Sequence, residues 1–314
     1  MTIVCFGEML LRLAPAAGTA LSDADALSLH VAGAEANVAI SLASLGTSSR
    51  MATVLPENAL GDRAQRTLSA HGVDITACLR RPGRMGLFYI ESPRAGREGG
   101  FFYDRAGSTF ACEASAVDWE QALADATWLH ISGLTAALGD IAVAALRQAI
   151  ACVQRRDISI SFDCNFRPLL WEGREQEGAA LLREFASAAR LLFASDWDAR
   201  LMLGDDSARV PDLLHAFPTL RWVASTSRTD HDATPWLGAM LTNQAGTTTI
   251  PPAPIIPFVD RVGAGDAFAA GLLHALAAGW EDADALQFAH RACLMKHGIA
   301  GDYSTLSVSD ILDD

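Results

Sequence analysis

Several chemistries are excluded by what this sequence does not contain. Its six cysteines, Cys5, Cys78, Cys112, Cys152, Cys164 and Cys293, are scattered, with no C-x-x-C spacing. That suits reduced thiols rather than disulfides or a zinc cage. No apolar stretch reaches the length of about 18 residues that a membrane span needs, the amino end carries no basic leader, and Glu8 interrupts its apolar run. The expectation is a cytoplasmic protein, neither exported nor membrane-spanning. Basic residues are the minority, 24 against 37 acidic, giving a net charge of −13. Nucleic acid and anionic membranes are therefore poor partners, and an anionic substrate has to be met by a local group of arginines. No G-x-G-x-x-G follows the first apolar run, which removes dinucleotide-binding dehydrogenases. Repeats, low-complexity tracts and long linkers are missing too.

What is there is enough for a large core: 314 residues, 50% hydrophobic. Thr2 to Phe6 reads as a buried strand, Val38 to Leu45 as a helix closed by Gly46, Arg50 to Leu55 as a strand, Leu60 to His71 as a helix and Val73 to Leu79 as extended chain. The alternation resumes from Asp118, with strands at 128–132, 158–163 and 191–194 and a helix over 141–155. Strands at 221–225, 237–241 and 247–250 and helices over 267–278 and 284–297 complete it. This predicts an α/β protein with a central, mostly parallel sheet flanked by helices. Between Arg80 and Phe110 the pattern breaks into short aromatic runs separated by Gly83, Gly86, Pro93, Gly96, Gly99 and Gly100. With residues 11–31 they predict a small β-sheet standing outside the main one as a lid over 11–31 and 81–110. The core then comprises 1–10, 32–80 and 111–314. An apolar face on such a sheet needs a cover, either a partner subunit or the mouth of a site.

The stretch Asp260-Arg261-Val262-Gly263-Ala264-Gly265-Asp266 runs from a proline-rich segment, Pro251 to Pro257, into an apolar helix. Glycines there let the backbone approach a ligand, and the helix's first turn offers unpaired N–H groups with partial positive charge. The N–H groups of Ala264 and Gly265 thus form a candidate anion hole, and Asp266 a candidate base able to take a proton from an attacking hydroxyl. A capped helix with acidic residues in its first turn is the plainer alternative. Asn165 and Arg167 lie just past the carboxyl end of the 158–163 strand, where ligands gather in open parallel sheets. Asp198 follows the 191–194 strand and could organise hydrated magnesium, although N-capping by Ser195 or Asp196 fits the spacing as well. Arg105, in Tyr103-Asp104-Arg105-Ala106-Gly107-Ser108, is either an exposed edge arginine or a carboxylate-binding arginine under the lid.

Gly33 to Ala39 together with Asp260 to Asp266 resembles the PfkB (ribokinase-like) family of carbohydrate kinases, and the resemblance covers essentially the whole chain. Within the family, Phe6 to Met9, Gly33 to Ala39, Tyr103 to Ser108, Asp163 to Pro168, Lys296-His297 and Gly301-Asp302 are similar to the 2-keto-3-deoxygluconate kinases. The resemblance implies an ATP- and Mg2+-dependent kinase that phosphorylates the primary hydroxyl of 2-keto-3-deoxygluconate, with the sugar held between sheet and lid. Asp266 is then the catalytic base and Gly263 to Gly265 the anion hole. Gly33, Asn37, Tyr103, Arg105, Arg167 and Asp302 become substrate-binding residues, and Asn165 and Arg167 reach the phosphates. Asp198 stands where the family has the Glu of its N-x-x-E motif, with Ser195 replacing the Asn. Ser225 to Asp230 replaces a glycine-bearing nucleotide loop, and Thr226, Arg228 and His290 are nucleotide candidates. A homo-oligomer, dimer or higher, is also implied. The rival readings are a kinase of the same fold for a neutral sugar or nucleoside, and a sugar- or nucleotide-binding protein without turnover.

Overall fold

The computed structural model describes residues 1–91, 99–231 and 234–313. Pro93 and Gly96, expected in the lid, lie outside them. The strands are β1 (Thr2–Phe6), β2 (Leu10–Ala14), β3 (Ser28–Ala32), β4 (Ser48–Pro56), β5 (Cys78–Arg81), β6 (Gly86–Glu91), β7 (Gly100–Asp104), β8 (Ala126–Ser132), β9 (Ser159–Asp163), β10 (Leu191–Phe193), β11 (Trp222–His231), β12 (Thr234–Asn243) and β13 (Gly246–Pro254). Nine of them form one sheet in the order β13-β12-β11-β10-β9-β8-β1-β4-β5. Pairing is parallel from β5 through β11 and antiparallel at β11-β12-β13.

Every residue of β1 is buried, as a strand with both faces covered requires. Val4 and Phe6 join the core on one side of the sheet, with the helices Asp140–Gln154 and Glu175–Ala186. Ile3 and Cys5 join the core on the other, with Ala34–Ser44, Ala264–Ala277 and Asp282–Lys296. The two-residue period of the strand thus builds both layers at once. From β1 the chain winds one way through β4 and β5 and the other way from β8 to β13. The carboxyl ends of β1 and β8 therefore flank the switch point at which such sheets bind ligands.

A second sheet, β3-β2-β6-β7, has antiparallel outer pairs and a parallel β2-β6 pair. Its registers set Arg12 beside Phe88 and Phe88 beside Tyr103, so the three share one face. Phe88 stacks on Tyr103 and on Phe101. Two expectations need correction. Of the extended chain expected over 73–79, only Cys78 and Leu79 lie in a named strand, with one isolated bridge, Arg50 to Asp74. The segment 225–230 is not a loop: β11 continues through it, paired residue by residue with β12 from Ser225–Met240 to Asp230–Pro235. With no glycine to break it and serine and threonine in the strand, the hairpin simply extends.

Candidate active site

The helix Ala264–Ala277 starts where Gly263 adopts φ 75, a left-handed conformation that costs glycine nothing. A Cβ on Gly263 would sit 1.7 Å from the Asp302 carbonyl oxygen, whereas one on Gly265 would meet nothing within 4 Å among the described residues. The helix end is thus walled on one side and open on the other. No side chain of the described residues caps it, so its first-turn donors face the opening. The Ala264 N–H leans towards Arg261 O at 3.4 Å, which leaves Gly265 as the better-placed half of the expected anion hole.

Asp266 sits in that first turn, half-buried. Burial pushes its carboxyl up to about 7, with the charges of Glu35 and Asp302 adding to the rise and the Asn37 hydrogen bond and Arg167 opposing it. Asn37 Nδ2 donates to Asp266 Oδ2 at 2.7 Å, so the residue expected to touch substrate is also the one that orients the base. Its own Oδ1 is buried without a partner among the described residues. Glu35, which sequence reading passed over, is fully inside the protein: its Oε1 accepts from Ser132 at 2.6 Å and Thr135 at 2.9 Å. Burial raises its carboxyl as well. Gly7 is glycine for the same reason, since a Cβ there would lie 2.1 Å from the Glu35 carboxylate. Gly33 ends β3's exit at φ 153, and a Cβ would come within 2.5 Å of Glu8 O.

At the ends of β9 and β10 the acidic residues gather as expected. Asp163 is pushed up to about 7 by burial and then by the charge of Asp266, with Asp198 adding and Arg167 opposing. Asn165 takes φ 38, a strained position for a residue with a side chain, and its N–H returns to Asp163 Oδ1 at 3.0 Å. Arg167 projects into solvent beside them. Asp198 is 7% exposed and forms a capping box with Ser195, accepting from its N–H at 2.7 Å and its hydroxyl at 2.6 Å. The capping reading of Ser195 is therefore realised, and one Asp198 oxygen is engaged locally. No group of three or more His, Cys, Asp or Glu among the described residues is arranged to hold a metal directly. Clustered carboxylates that repel one another without forming a cage suit a hydrated ion carried on phosphates.

Of the two readings of Arg105, the exposed edge arginine is overturned. Arg105 is 4% exposed, and its Nε donates to Glu8 at 2.5 Å in a buried ion pair that Ser108 completes by donating to the other Glu8 oxygen. A grip through Nε is excluded; Nη1 is buried and unpartnered among the described residues. Asp302 is likewise committed, both of its oxygens taken by Arg12 Nε at 2.9 and 3.0 Å. Arg12, an arginine in the middle of the Leu-Leu-Arg-Leu-Ala strand, is another residue that the sequence reading missed; a charge inside an apolar strand was the available signal. On the far side of the site, Arg228 Nη2 lies 2.9 Å from His297 Nε2, whose Nδ1 faces the Cys293 carbonyl at 2.7 Å. The proton therefore sits on Nδ1 and Nε2 accepts. Thr226 is half-buried on β11. His290 is 2% exposed and bonds Leu237 O at 2.8 Å, buttressing β12, while its Nδ1 is buried without a partner among the described residues. None of the helices of the described residues is long and apolar enough to cross a membrane.

Comparison with known proteins gives the family. A 2-dehydro-3-deoxygalactonokinase of Haloferax volcanii is 30% identical, over 98% of this chain and 95% of its own. The crystal structure of a 2-dehydro-3-deoxygluconokinase from Thermotoga maritima superposes with a TM-score of 0.92 at 30% identity, covering 100% of this chain and 98% of its own. A probable fructokinase-6 of Arabidopsis thaliana is 26% identical over 88% of this chain and 70% of its own. The pattern described as pfkB family carbohydrate kinase matches residues 1–295. The chain belongs to that family, and is a phosphotransferase that acts on a sugar hydroxyl.

Proposed function

We propose that this kinase uses ATP to phosphorylate the primary hydroxyl of a 2-keto-3-deoxy sugar acid, 2-keto-3-deoxygluconate or the corresponding galactonate-derived acid, giving the 6-phosphate. The names of the relatives at 30% identity support the substrate class. The observation that carries it here is the buried, unpartnered Nη1 of Arg105, since a buried donor left without an acceptor costs free energy that a substrate carboxylate would recover. Tyr103 shares a sheet face with Arg12, and Gly33 lets the chain pass close to Glu8, so both belong to the wall on which the sugar acid would lie.

In the reaction, Asn37 holds one oxygen of Asp266 and leaves the other for the sugar hydroxyl. With its carboxyl near 7, Asp266 is a base of useful strength at neutral pH. It takes the hydroxyl proton as the oxygen attacks phosphorus. Charge developing on the transferred group meets the N–H of Gly265, which the helix fixes in advance, and the solvent-facing guanidinium of Arg167. Asp198, through water, with Asp163 beside it, would hold magnesium, which would supply charge neutralisation on the donor phosphates. Asn165 and Arg167 flank those phosphates, and Thr226 and Arg228 line the nucleotide's path along β11.

One observation favours a neutral sugar instead: Glu8 already neutralises Arg105. A panel of 2-keto-3-deoxygluconate, its galactonate-derived epimer, fructose, ribose and a nucleoside, read by ADP release, separates the two. A charge-assisted hydrogen bond contributes enough for about a tenfold or greater preference in kcat/KM for the acids. Fructose or ribose outranking both acids would refute the assignment.

A further inference from the structure

Lys296 is the chain's only lysine, against 23 arginines. It is 0% exposed, although lysine is almost never found fully buried without a partner. Its Nζ donates to three backbone carbonyls, Val262 O at 2.9 Å, Ile299 O at 3.0 Å and Gly301 O at 2.9 Å. An ammonium has three donors, and all three are used. The acceptors come from two loops. Val262 directly precedes the Gly263 to Asp266 turn, and Gly301 directly precedes Asp302, the residue that holds Arg12. The same loops are clamped by an anion: Asp260 accepts from Val262 N at 3.0 Å and from Gly301 N at 3.3 Å. They touch at the Gly263 Cα and the Asp302 carbonyl, where even a methyl group would collide.

We propose that Lys296 is a positioning residue for phosphoryl transfer: a built-in cation whose ammonium gathers the carbonyls of both loops and so fixes the helix end bearing Gly265 and Asp266 against the loop bearing Asp302. Three carbonyl oxygens turned to one point repel one another unless a cation sits between them. Arginine, with a planar fork, cannot present three donors in that compact arrangement. The proposal rests on reading the 263–266 turn as the phosphoryl site. It has a consequence that a packing role would not share. Removing the ammonium leaves a hole of cation size lined by carbonyl oxygens, and a small free cation can refill it.

The test is Lys296→Ala, assayed for sugar-dependent ADP release in a tetramethylammonium buffer, whose ion is too large for the hole, and then with ammonium or potassium added. Displacing catalytic groups by as little as 1 Å costs about 10²-fold, so turnover should fall by roughly that factor while KM for ATP and sugar changes less. Ammonium at about 100 mM should restore turnover at least tenfold by mass action. The wild type should run equally in tetramethylammonium and in potassium. A folded Lys296→Ala variant with near-native turnover, or one that no small cation rescues, overturns the proposal. Should that variant not fold, the wild-type measurement still decides: stimulation by potassium of several-fold over tetramethylammonium overturns it, and equality supports it. Asp266→Asn tells this failure from that of the site reading, because retained turnover in that variant removes the phosphoryl site itself. Inactive Asp266→Asn beside active Lys296→Ala removes only the role of the lysine.

Discussion

Asp266→Asn tests the base and its environment in one protein. The substitution keeps an oxygen to accept from Asn37 and removes the charge. As the loss of a general base, it should lower turnover by roughly 10²- to 10⁴-fold. The stability of the unliganded protein should change in the opposite sense. Folding raises the Asp266 carboxyl from 3.8 to about 7, so the stability this group contributes is present below the unfolded value and lost as pH rises through the folded one. Between pH 5 and pH 8 the linkage relation gives a loss of about 2.6 kcal/mol, which partial exposure and coupling to Asp163 reduce to about 1–2 kcal/mol. The Asn variant has no such loss. Its melting temperature relative to wild type should therefore climb by about 2–4 °C between those pH values. Asp163 provides a third readout: with the neighbouring charge gone, its carboxyl should titrate at a lower pH by NMR. Near-native turnover would take Asp266 out of the mechanism, and parallel stability curves for the two proteins would refute the raised carboxyl.

Arg105→Lys keeps a cation opposite Glu8 but removes the planar fork, and should raise KM for 2-keto-3-deoxygluconate by about tenfold while leaving that for ATP alone; equal effects on both would contradict a carboxylate contact. Gly265→Ala places a methyl group in space that is empty in the free protein. It should leave the melting temperature unchanged or slightly higher, because alanine favours helix by about 0.5–1 kcal/mol, yet cut turnover. Unaltered kinetics would mean that no phosphoryl group passes there. Removing either partner of the buried Arg12–Asp302 pair should cost roughly 3–5 kcal/mol in urea unfolding, with Arg12→Met/Asp302→Leu recovering most of it. Simple additivity of the two losses would show that the pair is not coupled.

Where the sequence was informative, the reason was local. Two-residue and helical periods are set by near neighbours, and β1, the Ala264–Ala277 helix and the glycine turn between Val262 and Asp266 were legible for that reason. The 225–230 segment was misread because comparison with a glycine-bearing loop outweighed its own strand-forming residues. Side-chain partners were not legible at all where contact spans the chain. Arg12 meets Asp302 across 290 positions, Glu8 meets Arg105 across 97 and Asn37 meets Asp266 across 229. Asn37, Arg105, Asp266 and Asp302 could be named as site-forming, Arg12 and Glu8 were not, and every partner depended on where β2, the small sheet and the last loop come together. For Arg105, nothing in the sequence signals that Glu8 already takes its Nε and leaves only Nη1 for a ligand.

These pairings also explain the electrical state of the cleft. Arg12 and Arg105 are paired with Asp302 and Glu8, and of the floor carboxylates only that of Glu35 is held down by one of them, Arg105. Asp163, Asp198, Asp266 and Glu35 all have raised carboxyls, and Arg167 is a cation that opposes the rise in Asp163, Asp198 and Asp266 alike. A floor whose purpose was to hold phosphates by its own side-chain charge would not be built so acidic. It is better matched to a nucleotide that brings its own dication. Bound charge of that sign lowers the carboxyls of Asp163 and Asp266, making the base more fully ionised as the donor arrives. Thus the pH at which turnover is half-maximal should lie lower for the complex with magnesium and nucleotide than for the free enzyme. In practice, the kcat profile should be displaced to lower pH than that of kcat/KM for the nucleotide at fixed saturating sugar. Coincident profiles would mean that bound cation and base do not sense each other, and that the acidic floor serves folding alone.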